Sequence, residues 1–116
     1  MNKIEYKQKI PFEKRLLEST TIQKKYPDRI PIICENIGQQ INTLLKKKYL
    51  VPNQITLGQF LIIIRKRLKL TQEQAIFCFI DNKLHPISRM IGDLYNKYKD
   101  DDGFLYILYS GENCFG

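Results

Sequence analysis

From Leu57 to Leu68, the apolar residues Leu57, Phe60, Leu61, Ile64 and Leu68 recur at the three-and-four spacing of one buried helical face. Thr56 offers a side-chain oxygen to cap that helix. Before it, Tyr49-Leu50-Val51 is a short strand-forming run closed by the turn signals Pro52 and Asn53. Ile62 and Ile63 fall outside the buried stripe. At about 100 degrees per residue, Phe60, Ile63 and Arg67 share one flank, leaving apolar surface topped by a cation beside the core face. Such a flank is suited to holding a peptide.

The remaining pattern supplies six further elements. Residues 1–10 are weakly amphipathic, with Ile4, Tyr6 and Ile10 as apolar members, and predict a short helix. Pro11 suits the first turn of a second helix, in which Phe12, Leu16 and Ser19 follow one face while Glu13, Lys14, Arg15 and Glu18 stay in water. Tyr26-Pro27-Asp28 ends it. Residues 30–35, IPIICE, predict a strand, and Pro31 within it argues for a sheet edge or a bulge because proline donates nothing to a ladder. The following NIGQQINTLL reads as a loop. Residues 75–80, AIFCFI, are a continuous apolar run that predicts a strand buried on both faces. Ser88 stands where it caps a helix whose Ile91, Leu94, Tyr95 and Tyr98 share a face, with Lys97 and Lys99 at the end where cations oppose the dipole. FLYILY, residues 104–109, is the last strand.

The order helix, helix, strand, strand, helix, strand, helix, strand describes an α+β chain: a β-grasp sheet behind an added N-terminal helical pair. A right-handed connection places the last strand parallel to the first, in the middle of the sheet. Residues 1–27 are expected to form a helical extension packed on the core, and residues 28–116 the β-grasp domain, with a flexible tail from about residue 111.

A length of 116 residues fits one domain with a modest core. The first residues, MNKIEYKQKI, lack a signal-peptide core, so a cytosolic protein is expected. Cys34 and Cys78 lie in apolar runs and read as buried thiols, whereas Cys114 lies near the end and is expected to be exposed. The net charge of +7 is uneven: residues 46–69 hold seven basic and no acidic side chains, and residues 70–116 four basic and seven acidic. A basic half suits acidic peptides, an anionic membrane surface or nucleic acid.

No catalytic or metal-binding set emerges. His85 has no partner in sequence, and Asp100-Asp101-Asp102 lacks the alternating spacing of a calcium loop and reads as a solvated turn. The basic run Lys46-Lys47-Lys48 with Arg65, Lys66, Arg67 and Lys69 is not interleaved with aromatics in a base-stacking platform. A strand edge flanked by lysines and apolar side chains instead suits the addition of a peptide strand, whose alternate side chains enter pockets. Gly116 is the other chemical candidate. With no side chain at its acyl carbon, a terminal glycine can thread a narrow channel and be activated as an adenylate and then a thioester.

Five segments, PFEKR at 11–15, KYPDRIPIICE at 25–35, KKYLVP at 47–52, GQF with IRKRL across 58–68, and DGFLYILYSGEN through Phe115-Gly116, match one family in order. The chain resembles the autophagy-related ubiquitin-like modifiers, which include the GABA type A receptor-associated protein and its fungal relatives. The resemblance implies a ubiquitin-like β-grasp domain that is not an enzyme, needs no cofactor and is a monomer in solution. It further implies conjugation through Gly116 to phosphatidylethanolamine on autophagosomal or vacuolar membranes. A ubiquitin-type activating enzyme and a conjugating enzyme would load it, and a cysteine protease would trim and release it. Cargo receptors and autophagy factors would dock through aromatic-x-x-aliphatic motifs, with no nucleic acid among the partners. By position, the family's aromatic-accepting pocket falls on Glu18, Ile22, Pro31, Lys48, Leu50 and Phe104. Its aliphatic-accepting pocket falls on Tyr49, Val51, Pro52, Ile55, Phe60, Ile63 and Arg67. Ile55 stands where the family usually has leucine, and His85-Pro86 where two prolines are common. The alternative is an unconjugated basic module for anionic membrane, tubulin or RNA.

Overall fold

Thr56 begins helix α3, Leu57–Leu68, with a reciprocal cap. Its hydroxyl accepts the Gln59 amide at 3.1 Å while the Gln59 side chain accepts the Thr56 amide at 2.8 Å, satisfying two N–H groups that a helix start otherwise leaves open. Leu57, Phe60, Ile64 and Leu68 are buried, as the spacing predicts, and Ile62 and Ile63 remain exposed. This computed structural model describes residues 4–39 and 41–113.

Around α3 the elements are α1 Glu5–Lys9, α2 Phe12–Lys25, β1 Arg29–Asn36, β2 Lys48–Pro52, β3 Phe77–Phe79, α4 Ile91–Tyr98 and β4 Leu105–Ser110. The four strands lie in the order β2-β1-β4-β3, with β1 antiparallel to β2, parallel to β4, and β3 antiparallel to β4. The last strand therefore runs beside the first at the centre, the β-grasp arrangement that the element order implies. Ile32, Cys34, Leu105, Ile107 and Tyr109 belong to a core with α3 and α4, whereas Ile33, Phe104 and Tyr106 pack against Tyr6 of α1. Helices thus cover both faces of the sheet, because side chains alternate along each strand. Cys34 and Cys78 are both buried and unbridged, and burial pushes both thiols far above their usual range.

Four sequence expectations need correction. β1 is neither an edge nor bulged, despite Pro31. The Cys34 amide donates to the Lys47 carbonyl at 2.8 Å, so by alternation the Pro31 nitrogen points away from β2, and pairing with β4 begins only at Ile32. No ladder bond is lost. The AIFCFI run is paired over only three residues at the sheet's other edge, with Ala75 exposed and Ile76 and Phe77 half-buried. Ser88 is exposed and does not cap α4, whose N-cap is Met90. Backbone carbonyls serve instead: Ile55 accepts the Ile91 amide at 2.8 Å and Asn53 that of Gly92 at 2.9 Å.

The fourth correction concerns charge. Asp102 is 0 % exposed, and Arg15, expected in water, is 8 % exposed. Arg15 donates from Nη1 to Asp102 Oδ2 at 2.5 Å, the Tyr106 hydroxyl donates to the same oxygen at 2.5 Å, and Oδ1 accepts the Phe104 amide at 2.9 Å. Ser19, also buried, donates to the Asp102 carbonyl. The face by which α2 meets the sheet is therefore Arg15 and Ser19, while Phe12 and Leu16 are 39 % exposed. Gly103 follows at φ +87, and a Cβ there would collide with Ser19. Arg15 is held strongly protonated. Burial opposes its charge, but the bonds to Asp102 and Tyr106 outweigh that cost.

Candidate functional site: the free edge of β2

β2 is the outer strand on one side of the sheet, and its pairing fixes which backbone groups are free. Since Ile30, Ile32 and Cys34 direct their amides toward β2, their partners Val51 and Tyr49 close the ladder. Lys48 and Leu50 therefore present their N–H and C=O groups outward. Side chains alternate as well. Lys48 and Leu50 stand on the face covered by α1 and α2, and Tyr49 and Val51 on the face covered by α3. The two residue sets that the resemblance assigns to pockets thus flank one exposed edge, on opposite faces.

On the α2 face, Pro31 and Phe104 are buried, Ile22 and Leu50 half-buried and Lys48 exposed. Lys48 Nζ donates to Glu18 Oε2 at 2.7 Å and joins α2 to the strand edge. The Tyr6 hydroxyl donates to Glu18 Oε1 at 2.5 Å, Lys48 Nζ lies 5.3 Å from the centre of the Tyr6 ring, and that ring meets Phe104 edge-on at 5.8 Å. Tyr6 therefore belongs to this site, although the sequence reading names it only as an apolar member of α1. Burial would raise the Glu18 carboxyl, but the bonds from Lys48 and Tyr6 prevail and hold it below the usual range. Burial, then the bond to Glu18, pushes the Tyr6 phenol well up. An exposed cation beside apolar side chains can steer an acidic segment and orient an aromatic ring.

On the α3 face, Tyr49, Val51 and Phe60 are buried, Ile55 is half-buried, and Ile63 and Arg67 are exposed, whereas strand alternation puts the exposed Pro52 on the same side as Lys48 and Leu50. Phe60 meets Tyr49 edge-to-face at 5.7 Å, and the Arg67 guanidinium sits 5.5 Å from the Tyr49 ring centre. Phe60 is 0 % exposed, so the flank deduced from helical spacing narrows to Ile63, 36 % exposed, and Arg67 above a buried aromatic floor. The rim of that floor carries the cation.

Gly116 and Cys114 lie outside the described residues. His85 has a local structural role: its Nε2 is 2.8 Å from the Ile80 carbonyl and its ring packs edge-on against Tyr98 at 4.8 Å.

The family model described as "Autophagy protein Atg8 ubiquitin like" matches residues 14–116. The chain is 54 % identical over 112 residues to Autophagy-related protein 8 of Coccidioides immitis, covering 96 % of each, and equally identical to that of Aspergillus niger, covering 96 % of this chain and 95 % of the relative. The crystal structure of Trypanosoma brucei ATG8 superposes with a TM-score of 0.89 at 41 % identity, covering 94 % of this chain and 95 % of that one. With the sheet order, the paired N-terminal helices and these matches in agreement, the chain belongs to the Atg8 family of ubiquitin-like autophagy proteins.

Proposed function

We propose that this chain is a modifier coupled through the Gly116 carboxylate to the amino headgroup of phosphatidylethanolamine on autophagic membranes, where it recruits cargo receptors and autophagy factors bearing aromatic-x-x-aliphatic peptides. It moves between the cytoplasm and autophagosomal or vacuolar membranes. A ubiquitin-type activating enzyme and a conjugating enzyme load it, a cysteine protease trims and releases it, and it performs no catalysis itself.

The observation that supports the reading is the outward edge of β2, which carries apolar side chains on both of its faces. Residues three apart in an extended peptide point to opposite faces and lie about 10 Å apart. A peptide paired with the outward groups of Lys48 and Leu50 would send its aromatic side chain toward Pro31 and Phe104, and its aliphatic one toward Ile63 and Val51. A micromolar affinity, about 8 kcal/mol, is ordinary for such a contact.

Reconstitution with the activating and conjugating enzymes and phosphatidylethanolamine vesicles tests the coupling. The intact chain should form the lipid conjugate, and Gly116→Ala, which places a methyl group beside the reacting carbonyl, should slow it by about tenfold or more. Equal rates for the two chains would refute it. Membrane binding that ignores Gly116 and collapses steeply with salt would favour the unconjugated basic module.

Lys48→Glu sets two carboxylates against each other, because Glu18 now pairs with Lys48 at 2.7 Å. Peptides with acidic residues before the aromatic position should lose roughly tenfold in affinity at low salt, and less at high salt, where screening mutes both attraction and repulsion. Calorimetry at two ionic strengths reads this directly. Unchanged affinity at low salt would remove Lys48 from the recognition.

A further inference from the structure

The basic stretch holds seven cations, and the fold divides them. Lys47 is within ion-pair distance of Glu5 and Glu35, Lys48 bonds Glu18, and the Arg65 guanidinium donates to the carbonyls of Gln74 at 2.9 Å and Thr71 at 2.7 Å. Among the described residues, none of the remaining four, Lys46, Lys66, Arg67 and Lys69, has an ion-pair partner. All four line one cleft of about 440 Å³ between the loop before β2 and the end of α3.

Tyr49 lines the same cleft. It is 7 % exposed, and among the described residues its buried hydroxyl has no hydrogen-bond partner. Lys46 and Arg67 each lie 5.5 Å from its ring centre, so two of the cleft's cations flank this ring. A buried hydroxyl without a partner is costly, and an anionic oxygen that displaced the flanking cations and reached it would satisfy it. The negative end of α3 opposes an anion here, and that opposition is lessened because the carbonyls of Arg65 and Lys66 already accept the amides of Leu70 and Lys69.

Two further observations select the ligand. Leu45, at the rim, is fully exposed, and an apolar side chain beside a cationic cleft suits a bilayer surface. The cleft wall is also tied to the strand from which the tail departs: the Tyr109 hydroxyl accepts the Leu44 amide at 2.8 Å and donates to the Asn42 carbonyl at 3.2 Å. The six residues after Ser110 span at most about 20 Å. A tail tethered to lipid would therefore hold this end of the molecule within reach of the same membrane.

We infer that the cleft bounded by Lys46, Tyr49, Lys66, Arg67 and Lys69 binds the phosphomonoester headgroup of an anionic lipid, with Leu45 entering the bilayer beside it. The inference rests on the proposed lipid coupling for its biological setting, but its test does not. A phosphomonoester offers three acceptor oxygens and nearly two charges, which suits four cations and a phenol better than the single charge of a carboxylate. Headgroup binding and covalent coupling would act together, each raising the effective concentration of the other.

The full, unconjugated chain is sedimented with phosphatidylcholine vesicles carrying either a phosphatidylinositol monophosphate or phosphatidylserine at equal total charge. Binding should be stronger to the phosphomonoester lipid and should be displaced by glycerophosphoinositol phosphate better than by inorganic phosphate. Tyr49→Phe, which removes only the hydroxyl, should weaken it about tenfold. The paired change Lys66→Ala and Lys69→Ala should weaken it at least as much while leaving aromatic-x-x-aliphatic peptide affinity unchanged. Leu45→Ser should reduce vesicle binding but not binding of the soluble headgroup. Equal binding to both vesicle types, indifference to Tyr49→Phe, or better competition by a phosphopeptide than by the headgroup would overturn the assignment. Failure of Gly116 coupling would leave these results untouched and would count against the modifier reading alone.

Discussion

Asp102→Ala should cost the fold about 3–5 kcal/mol, because it leaves the buried Arg15 charge without its partner. The loss has three parts, one on α2 and two at β4. Arg15 anchors α2, the Tyr106 hydroxyl belongs to β4, and the Phe104 amide is the last before that strand, so one carboxylate ties a helix to the sheet centre. Asp102→Asn retains an oxygen for the Phe104 amide but gives up the charge, and it should fall between wild type and alanine. Urea unfolding followed by circular dichroism measures the series. A shift in midpoint worth less than about 1 kcal/mol for alanine would show that water replaces the carboxylate and that the ion pair is energetically idle. The effect should reach the proposed peptide site, because Arg15 and Ser19 seat the same helix that carries Glu18 and Ile22.

How much of this was readable in the chain depends on how local the cause is. The Thr56 cap and the α3 stripe follow from residues three and four apart, and the structure reproduces both. The parallel central strand follows from element order and the geometry of crossovers. Asp102 defeats the same logic. Three adjacent carboxylates look like a solvated turn, and the partner that buries the third one, Arg15, lies 87 positions away on a face expected to be wet. Pro31 misleads for a related reason: whether a missing amide matters depends on which neighbour it would face, and β4 begins pairing one residue later. Ser88 fails because carbonyls of the Asn53–Ile55 turn, far off in sequence, reach the first amides of α4 before any side chain is needed. At the candidate site, the split of Lys48 and Leu50 from Tyr49 and Val51 onto opposite faces follows from strand alternation, whereas Tyr6 enters only through its hydroxyl contact with Glu18.

The pair Ile63→Asp and Phe60→Asp should separate binding from folding at the aliphatic recess. Ile63 is 36 % exposed on α3, so a carboxylate there stays hydrated and can pair with Arg67 one turn on; stability should change by less than about 1 kcal/mol. Peptide affinity should fall about a hundredfold. The aliphatic anchor loses a contact worth about 1.5–3 kcal/mol, meets a charge that its approach would desolvate, and finds the rim cation engaged by the new carboxylate. Phe60 is 0 % exposed and packs edge-to-face on Tyr49, so Phe60→Asp should unfold the domain outright, the lost ring alone being worth about 3–5 kcal/mol before the buried charge is counted. Thermal melts and calorimetry on both variants decide the matter. If Phe60→Asp remains folded, the floor described here opens to solvent; if Ile63→Asp binds an aromatic-x-x-aliphatic peptide as wild type does, the aliphatic side chain goes elsewhere and the pairing of pockets across β2 is wrong.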